Sequence, residues 1–228
     1  MTVLSNRLKA IASFVPQGSA AVDVGTDHAI LPIWLAEAGI CSRVIATDIN
    51  TEPLQRAYSN VRASAMSEKI ELRLGQGLAC VGEEEINVII VAGMGSDNIG
   101  DIILESGWCF SEKRLILQPM TKHPELIGRL WQNGFFVRDE KLAKDAGKIY
   151  RILQVEKGIS PEPSPADLYA GEALLTNHDP LLREYLHKTV ERLERALSGI
   201  RHSRGYEEKS ALLFQRAIEG LGMMIRLS

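Results

Sequence analysis

The stretch 135-FFVRDEKLAKDAGKIYRILQVEK-157 decides how this chain closes its sheet. Two runs rich in aromatic and β-branched residues, 135–143 and 148–157, flank 144-KDAG-147, where Asp145 and Gly147 are turn formers. So short a link makes the two strands antiparallel, because a parallel return needs a long crossover. Upstream, short apolar runs alternate with helical stretches. The strand candidates are 20-AAVDV-24, 43-RVIATD-48, 70-IELRL-74, 86-INVIIV-91 and 114-RLILQ-118. Between them, 52-EPLQRAYSNVRASA-65 and 97-DNIGDIILES-106 carry the helical period. Strands that are nearly all apolar are buried on both faces, which calls for helices on both sides of a parallel sheet. The expected class is α/β: a doubly wound parallel core closed by an antiparallel hairpin.

Such a closure is the layout of Rossmann-like class I methyltransferases, whereas a nicotinamide dehydrogenase more often continues with parallel strands. The loop 22-VDVGTDHAILP-32 argues the same way. Asp23 and Gly25 open like a nucleotide-binding turn, but Thr26, Asp27 and His28 stand where a pyrophosphate loop needs further glycines. An added carboxylate repels pyrophosphate and not the sulfonium of S-adenosylmethionine. Asp27 has an alternative reading as a cap of the helix 30-ILPIWLAEAG-39, although Pro32 moves the expected helix start toward residue 31. His28 reads as a ligand contact or an ordinary loop histidine. Asp48 closes the second strand, where an acidic side chain reaches a ribose diol, or it caps a helix near Thr51. In 75-GQGL-78, Gly77 allows close approach of an adenine and Gln76 offers it an amide. The strand-four end 92-AGMGSDNI-99 and the strand-five end 117-LQPM-120 complete one sheet edge.

Composition restricts the class of protein without naming a substrate. The 228 residues are 45% hydrophobic and 24% charged, ordinary for a globular protein that builds a core without staples. No apolar run approaches the ~18 residues of a membrane span, and the amphipathic start MTVLSNRLKAIASF lacks a signal peptide's apolar block. A cytoplasmic location with no membrane partner is expected. Cys41, Cys80 and Cys109 have no metal-ligand spacing, so reduced buried thiols and no metal are expected. A net charge of −3 neither demands nor excludes RNA.

Three prolines make 158-GISPEPSP-165 a linker. Beyond it Leu182, Leu186, Val190, Leu193, Leu197 and Ile200 form one helical stripe, and Ala211, Phe214, Ile218, Leu221 and Ile225 form a second. With Gly205 in the short connection 201-RHSRGY-206, these predict an antiparallel helical hairpin. The expected organisation is a catalytic domain over 1–157, a linker over 158–165 and a helical hairpin domain over 166–228. Arg7, Lys9, Lys122, Arg129, Arg183, Lys188, Arg192, Arg195, Arg201 and Arg204 are the candidate phosphate contacts.

Taken together, 23-DVGTDHAILP-32, 92-AGMG-95, 115-LILQP-119 and 146-AGKIYRIL-153 resemble the bacterial tRNA (adenine-22-N1)-methyltransferase family, TrmK. The resemblance covers essentially the whole chain. It implies S-adenosylmethionine-dependent methylation of an adenine N1 in the tRNA D arm, with the helical hairpin as an aid to holding tRNA; the sequence leaves the oligomeric state open, a monomer being slightly favoured. It implies Asp27 at the reacting centre. The cofactor would meet Asp23, Gly25, His28, Asp48, Gln76, Gly77, Ala92 and Gly93. The base would meet Met94, Gly95, Ser96, Gln118, Pro119 and Met120. Three positions depart from the family's usual residues: Gln76 for aspartate, Ser96 for glycine and Met120 for asparagine. The alternative kept open is a methyltransferase acting on another RNA site or a small molecule.

Overall fold

A computed structural model describes residues 2–201 and 208–228. Seven strands, β1 (Ser19–Val24), β2 (Cys41–Asp48), β3 (Ile70–Leu74), β4 (Val88–Met94), β5 (Arg114–Pro119), β6 (Phe135–Asp145) and β7 (Lys148–Lys157), form one sheet. Their order is β3-β2-β1-β4-β5-β7-β6. The first five pair in parallel, and β7 runs antiparallel to both β5 and β6. Successive strand residues point to opposite faces. Thus Val44, Ile90 and Ile116 pack on one side with α1 (Asn6–Ala12), α2 (Ile30–Glu37) and α3 (Thr51–Ala63). Ile45, Ile89 and Leu115 pack on the other with α4 (Ser96–Leu104) and α5 (His123–Gln132). Each such fully buried side chain contributes roughly 1.5–3 kcal/mol, which is why the central strands carry almost no polar residue.

The closing hairpin is tighter than expected. Asp145 pairs with Lys148, so the link is only Ala146 and Gly147, both with positive φ (47° and 78°). Two left-handed residues match the twist of the flanking strands. A bulge between Val137 and Asp139 then resets the alternation of β6. Cys41 is buried, which pushes its thiol up to about 11, whereas Cys80 is half-buried and Cys109 is exposed, against the expectation of three buried thiols. No described helix is long and apolar enough to cross a membrane.

After residues 158–164, which form no helix or strand, the chain makes α6 (Glu172–Thr176), α7 (Leu182–Arg201) and α8 (Glu208–Leu227). The stripe of α7 buries Leu182, Leu186, Leu193 and Leu197 as expected. In α8 the buried face is turned toward Ala211, Ala217, Leu221 and Met224, with Phe214, Ile218 and Ile225 only partly covered. The expected turn at Gly205, Arg204 with it, and the side chain of Arg201 lie outside the described residues.

These helices are anchored to the sheet. Leu142 of β6 shares a core with Leu174, Leu182 and Leu186, and Lys144 donates to Glu184 at 2.8 Å. At the seam lies an ion pair between Arg151 and Glu140, each 1% exposed. Arg151 also donates to the carbonyls of Leu168 (2.9 Å) and Asp167 (3.1 Å). Burial, with the charges of Arg151 and Arg192 adding to it, pushes the nearby His123 imidazole down to about 4. Replacing Arg151 by Met strands a buried carboxylate and releases both carbonyls. Urea unfolding of Arg151→Met should show a loss of about 3–5 kcal/mol. Amides 166–170 should lose hydrogen-exchange protection first; equal stability of the variant would refute a structural role for the pair.

Candidate active site

The order β3-β2-β1-β4-β5 means that the connections from β1 and β4 leave in opposite directions. A crevice opens between them at the C-terminal edge, where α/β sheets hold their ligands. The loop after β1 turns tightly at the rim of that crevice. Gly25 has φ +75°, and a side chain there would collide with the Met94 methyl. The amides of Gly25 and Thr26 both donate to the Thr47 carbonyl at 2.8 Å. His28 and Ala29 follow with φ of 63° and 53°, and Asn60 donates to the His28 carbonyl at 2.9 Å. Ala29 is the N-cap of α2, which has no side-chain cap. Asp27 therefore does not cap α2, and the helix starts at Ile30. Its side chain is 67% exposed, with Oδ1 3.3 Å from His28 Nε2 and 3.8 Å from Arg56 Nη2. An accessible carboxylate thus stands beside groups able to carry positive charge.

Deeper in the crevice, Asp23 is buried, and burial pushes its carboxyl up to about 6, against the opposing pull of Thr26 and Arg7. Arg7 comes from α1. Its Nη1 donates to Gln118 Oε1 at 2.7 Å, its guanidinium stands 5.7 Å from the Tyr150 ring centroid, and it lies 3.4 Å from where a Gly93 Cβ would sit. Arg7, expected among the phosphate contacts, is instead withdrawn into the site by the fold. A signal was present: Arg7 lies four residues before the buried Ile11, on the same helical face.

Gln118 is fully buried, and both ends of its amide are engaged. Besides receiving Arg7, its Nε2 donates to the Pro119 carbonyl (2.8 Å) and toward Met120 Sδ (3.5 Å). The β4–α4 and β5–α5 loops are latched to each other. Met120 N donates to the Met94 carbonyl at 2.9 Å, the buried Ser96 hydroxyl donates to the Thr121 carbonyl, and Lys122 pairs with Asp97 at 2.9 Å. Gly95 is the N-cap of α4, and Met120 remains 44% exposed over this rim. β4 continues through Ala92 and Gly93 to Met94, three residues past the expected end at 91, with a register shift that pairs Met94 to Pro119.

On the other flank, Asp48 Oδ1 accepts from Asn50 N at 2.7 Å. Asp48 thus shapes the turn before α3 but does not occupy its N-cap, which is Asn50. The Asp48 carbonyl receives Gly75 N at 3.0 Å, and Thr47 Oγ1 reaches the Gly77 carbonyl at 3.5 Å. Gly77 has φ +56°, and a Cβ there would press on Ile102. Gln76 is exposed. Ile49, next to Asp48, is 62% exposed and offers an apolar face for a flat ring, a feature outside the sequence motifs. Thus the fold brings Asp23, Gly25, Asp27, His28, Ala92, Gly93, Met94, Gly95, Ser96, Gln118, Pro119 and Met120 to the crevice. Asp48, Gln76 and Gly77 flank it. Among the described residues no group of three or more His, Cys, Asp or Glu side chains could hold a metal ion.

The raised Asp23 value sets the sign of a pH effect. The folded carboxyl, at about 6 against a usual 3.8, binds its proton more tightly than the unfolded chain does. Stability is therefore lost as pH rises from about 4 through 6, by about 2–3 kcal/mol in total. Asp23→Asn removes this loss. The free variant should exceed the parent in urea-derived stability at pH 7.5, with the gap closing below pH 4.

Residues 4–153 match the family described as "Methyltransferase domain". The tRNA (adenine(22)-N(1))-methyltransferase of Bacillus subtilis is 34% identical over 157 residues, covering 68% of this chain and 66% of that protein, so the match spans about two thirds of that relative's length. Among solved structures, Streptococcus pneumoniae Sp1610, which carries a provisional tRNA (m1A22) methyltransferase assignment, is 35% identical with a TM-score of 0.84 over 98% of this chain and 100% of its own. The same protein in complex with S-adenosyl-L-methionine is similar at a TM-score of 0.82 and 34% identity, over 98% and 100% of the two chains. The Bacillus subtilis m1A22 tRNA methyltransferase TrmK superposes at 0.78 and 26% identity over 100% and 97%. With its crevice, its closing hairpin and these likenesses together, the chain belongs to the methyltransferase-domain family, beside the tRNA (adenine-22-N1)-methyltransferases.

Proposed function

We propose that the chain methylates N1 of adenine 22 in the D arm of tRNA, using S-adenosylmethionine. The observation that carries this reading is the exposed Asp27 carboxylate at the mouth of a crevice whose floor holds a buried acid beside a guanidinium. That floor fits the cofactor's zwitterionic end: Asp23 would receive its ammonium and Arg7 its carboxylate. Gly93 leaves the backbone bare for close approach, while Gly25 makes room for the Met94 methyl beneath the turn. His28 would close the pocket above, Asp48 would hold the ribose diol, and Gln76, Gly77, Ala92 and Ile49 would enclose the adenine. When bound, the cofactor supplies the methyl group on a sulfonium.

Adenine N1 is already nucleophilic, so the chain's task is alignment and charge control. Asp27 holds negative charge where the methylated base becomes positive, and it is placed to take a proton from the exocyclic amine. Met94, Gly95, Pro119 and Met120 would border the extruded base, while Ser96 and Gln118 hold those borders in place through the latch. tRNA would be gripped through phosphates and shape. Of the basic candidates, Arg129 is paired with Asp101 at 2.7 Å and Lys188 with Glu184 at 2.7 Å. Lys122 is paired with Asp97, which leaves Lys9, Arg183, Arg192 and Arg195 as the better contacts. In this reading residues 1–157 are the catalytic unit, 158–165 the linker and 166–228 the tRNA-binding aid, in a cytoplasmic monomer.

Labelled methyl transfer to unmodified tRNA with adenine at position 22 should be lost when that base is guanine. Asp27→Ala should lower turnover roughly 10²–10⁴-fold with cofactor affinity nearly unchanged. A matching fall in cofactor affinity would make Asp27 a binding residue. Methylation of both tRNAs, or of neither by a cofactor-bound enzyme, would point to another target read by Ser96 and Met120.

A further inference from the structure

A cavity of about 680 Å³ lies at the seam between the sheet and the C-terminal segment, and none of its lining residues belongs to the crevice described above. Its walls come from α5, β6, β7, the stretch 160–163 and α6. The volume falls within the roughly 300–1,000 Å³ of small-molecule sites. We propose that this cavity binds a small organic cation with an apolar body, of the class of protonated aromatic amines.

The walls supply the apolar half. Leu130 and Phe135 are buried at the floor, Trp131 and Phe136 stand partly open above them, and Pro161 and Pro163 face from the linker. Trp131 is held by its indole N–H, which donates to the Ser160 carbonyl at 3.3 Å. A fixed indole suits both apolar contact and the face of a cation.

The charge comes from an imbalance in the lining. Five carboxylates line the cavity against two guanidiniums, and one of those, Arg151, is engaged by Glu140 and two backbone carbonyls. Glu140 is 1% exposed, yet its Oε1 has no hydrogen-bond partner, while Oε2 takes Arg151. Oε1 faces Gly171, another lining residue, where any side chain would overlap it. A buried carboxylate oxygen without a donor, in a cavity open enough for a ligand, calls for a cationic donor. Asp139 lies next to it, with Oδ1 receiving Asn177 Nδ2 at 2.8 Å, and Glu172 stands at the exposed rim. Since no three ligating side chains converge among the described residues, a dispersed organic cation fits this charge better than a metal ion.

The test is isothermal titration of the full-length protein with tryptamine, and with indole-3-propionate as the charge-reversed control. Tryptamine should bind one-to-one and roughly tenfold or more tighter than the carboxylate. Thr176→Trp, at an exposed position on the rim, should fill the cavity and abolish binding without unfolding the protein. Glu172→Lys should weaken it several-fold, and the indole N–H resonance of Trp131 should shift on titration of the parent. The proposal is overturned by absence of saturable binding, by equal affinity for indole-3-propionate, or by binding that survives Thr176→Trp. Methyl transfer to tRNA is measured separately, so the two readings stand or fall independently.

Discussion

β1 lies between β2 and β4, and the chain leaves these central strands in opposite directions. Neither crossover can then cover the C-terminal end of β1, and everything functional follows from that uncovered edge. Residues far apart in sequence, from Arg7 to Tyr150, are brought within a side chain's length of one another there. Apolar strands make this possible. Because Val22, Ile45, Ile89, Ile116 and their neighbours are buried on one face or the other, the polar groups of the crevice are confined to the strand ends and the loops at that edge.

Within that edge a buried acid and a buried amide are managed by one arginine. Arg7 offsets the charge of Asp23, fixes the orientation of Gln118 and passes under Tyr150. Gln118 in turn holds Pro119 and Met120, and Met120 is tied to Met94. The β1 side of the crevice and its β4–β5 rim are therefore mechanically joined through a short helix near the N-terminus. Met94 adds a second joint, since its methyl fills the space that Gly25 leaves by having no side chain.

β7 carries a different burden on each face. Tyr150 looks toward Arg7, while the adjacent Arg151 looks toward the C-terminal helices and pins the backbone at Asp167 and Leu168. This is the alternation of a strand put to use: one residue step transfers the chain from the crevice to the seam with the C-terminal helices. The seam is closely packed at Gly171 and open beside Trp131, and the two conditions meet at Glu140.

The sheet, the closing hairpin and the helical stripes of α7 were legible because burial imposes a period on sequence, two in a strand and 3.6 in a helix. The motif loops were legible as well, since Gly25 and Gly77 meet backbone demands that few other residues satisfy. What the sequence by itself determined was this layered architecture and the collection of Asp23, Asp27, His28, Asp48 and the glycines at one edge. Tertiary structure alone decided which polar groups face one another. It drew Arg7 away from the surface, placed Ala29 rather than Asp27 at the helix cap, turned α8 toward Ala217 and Met224, and buried Glu140 against Arg151. Those outcomes depend on distances between elements that are remote along the chain, and periodicity is silent about such distances.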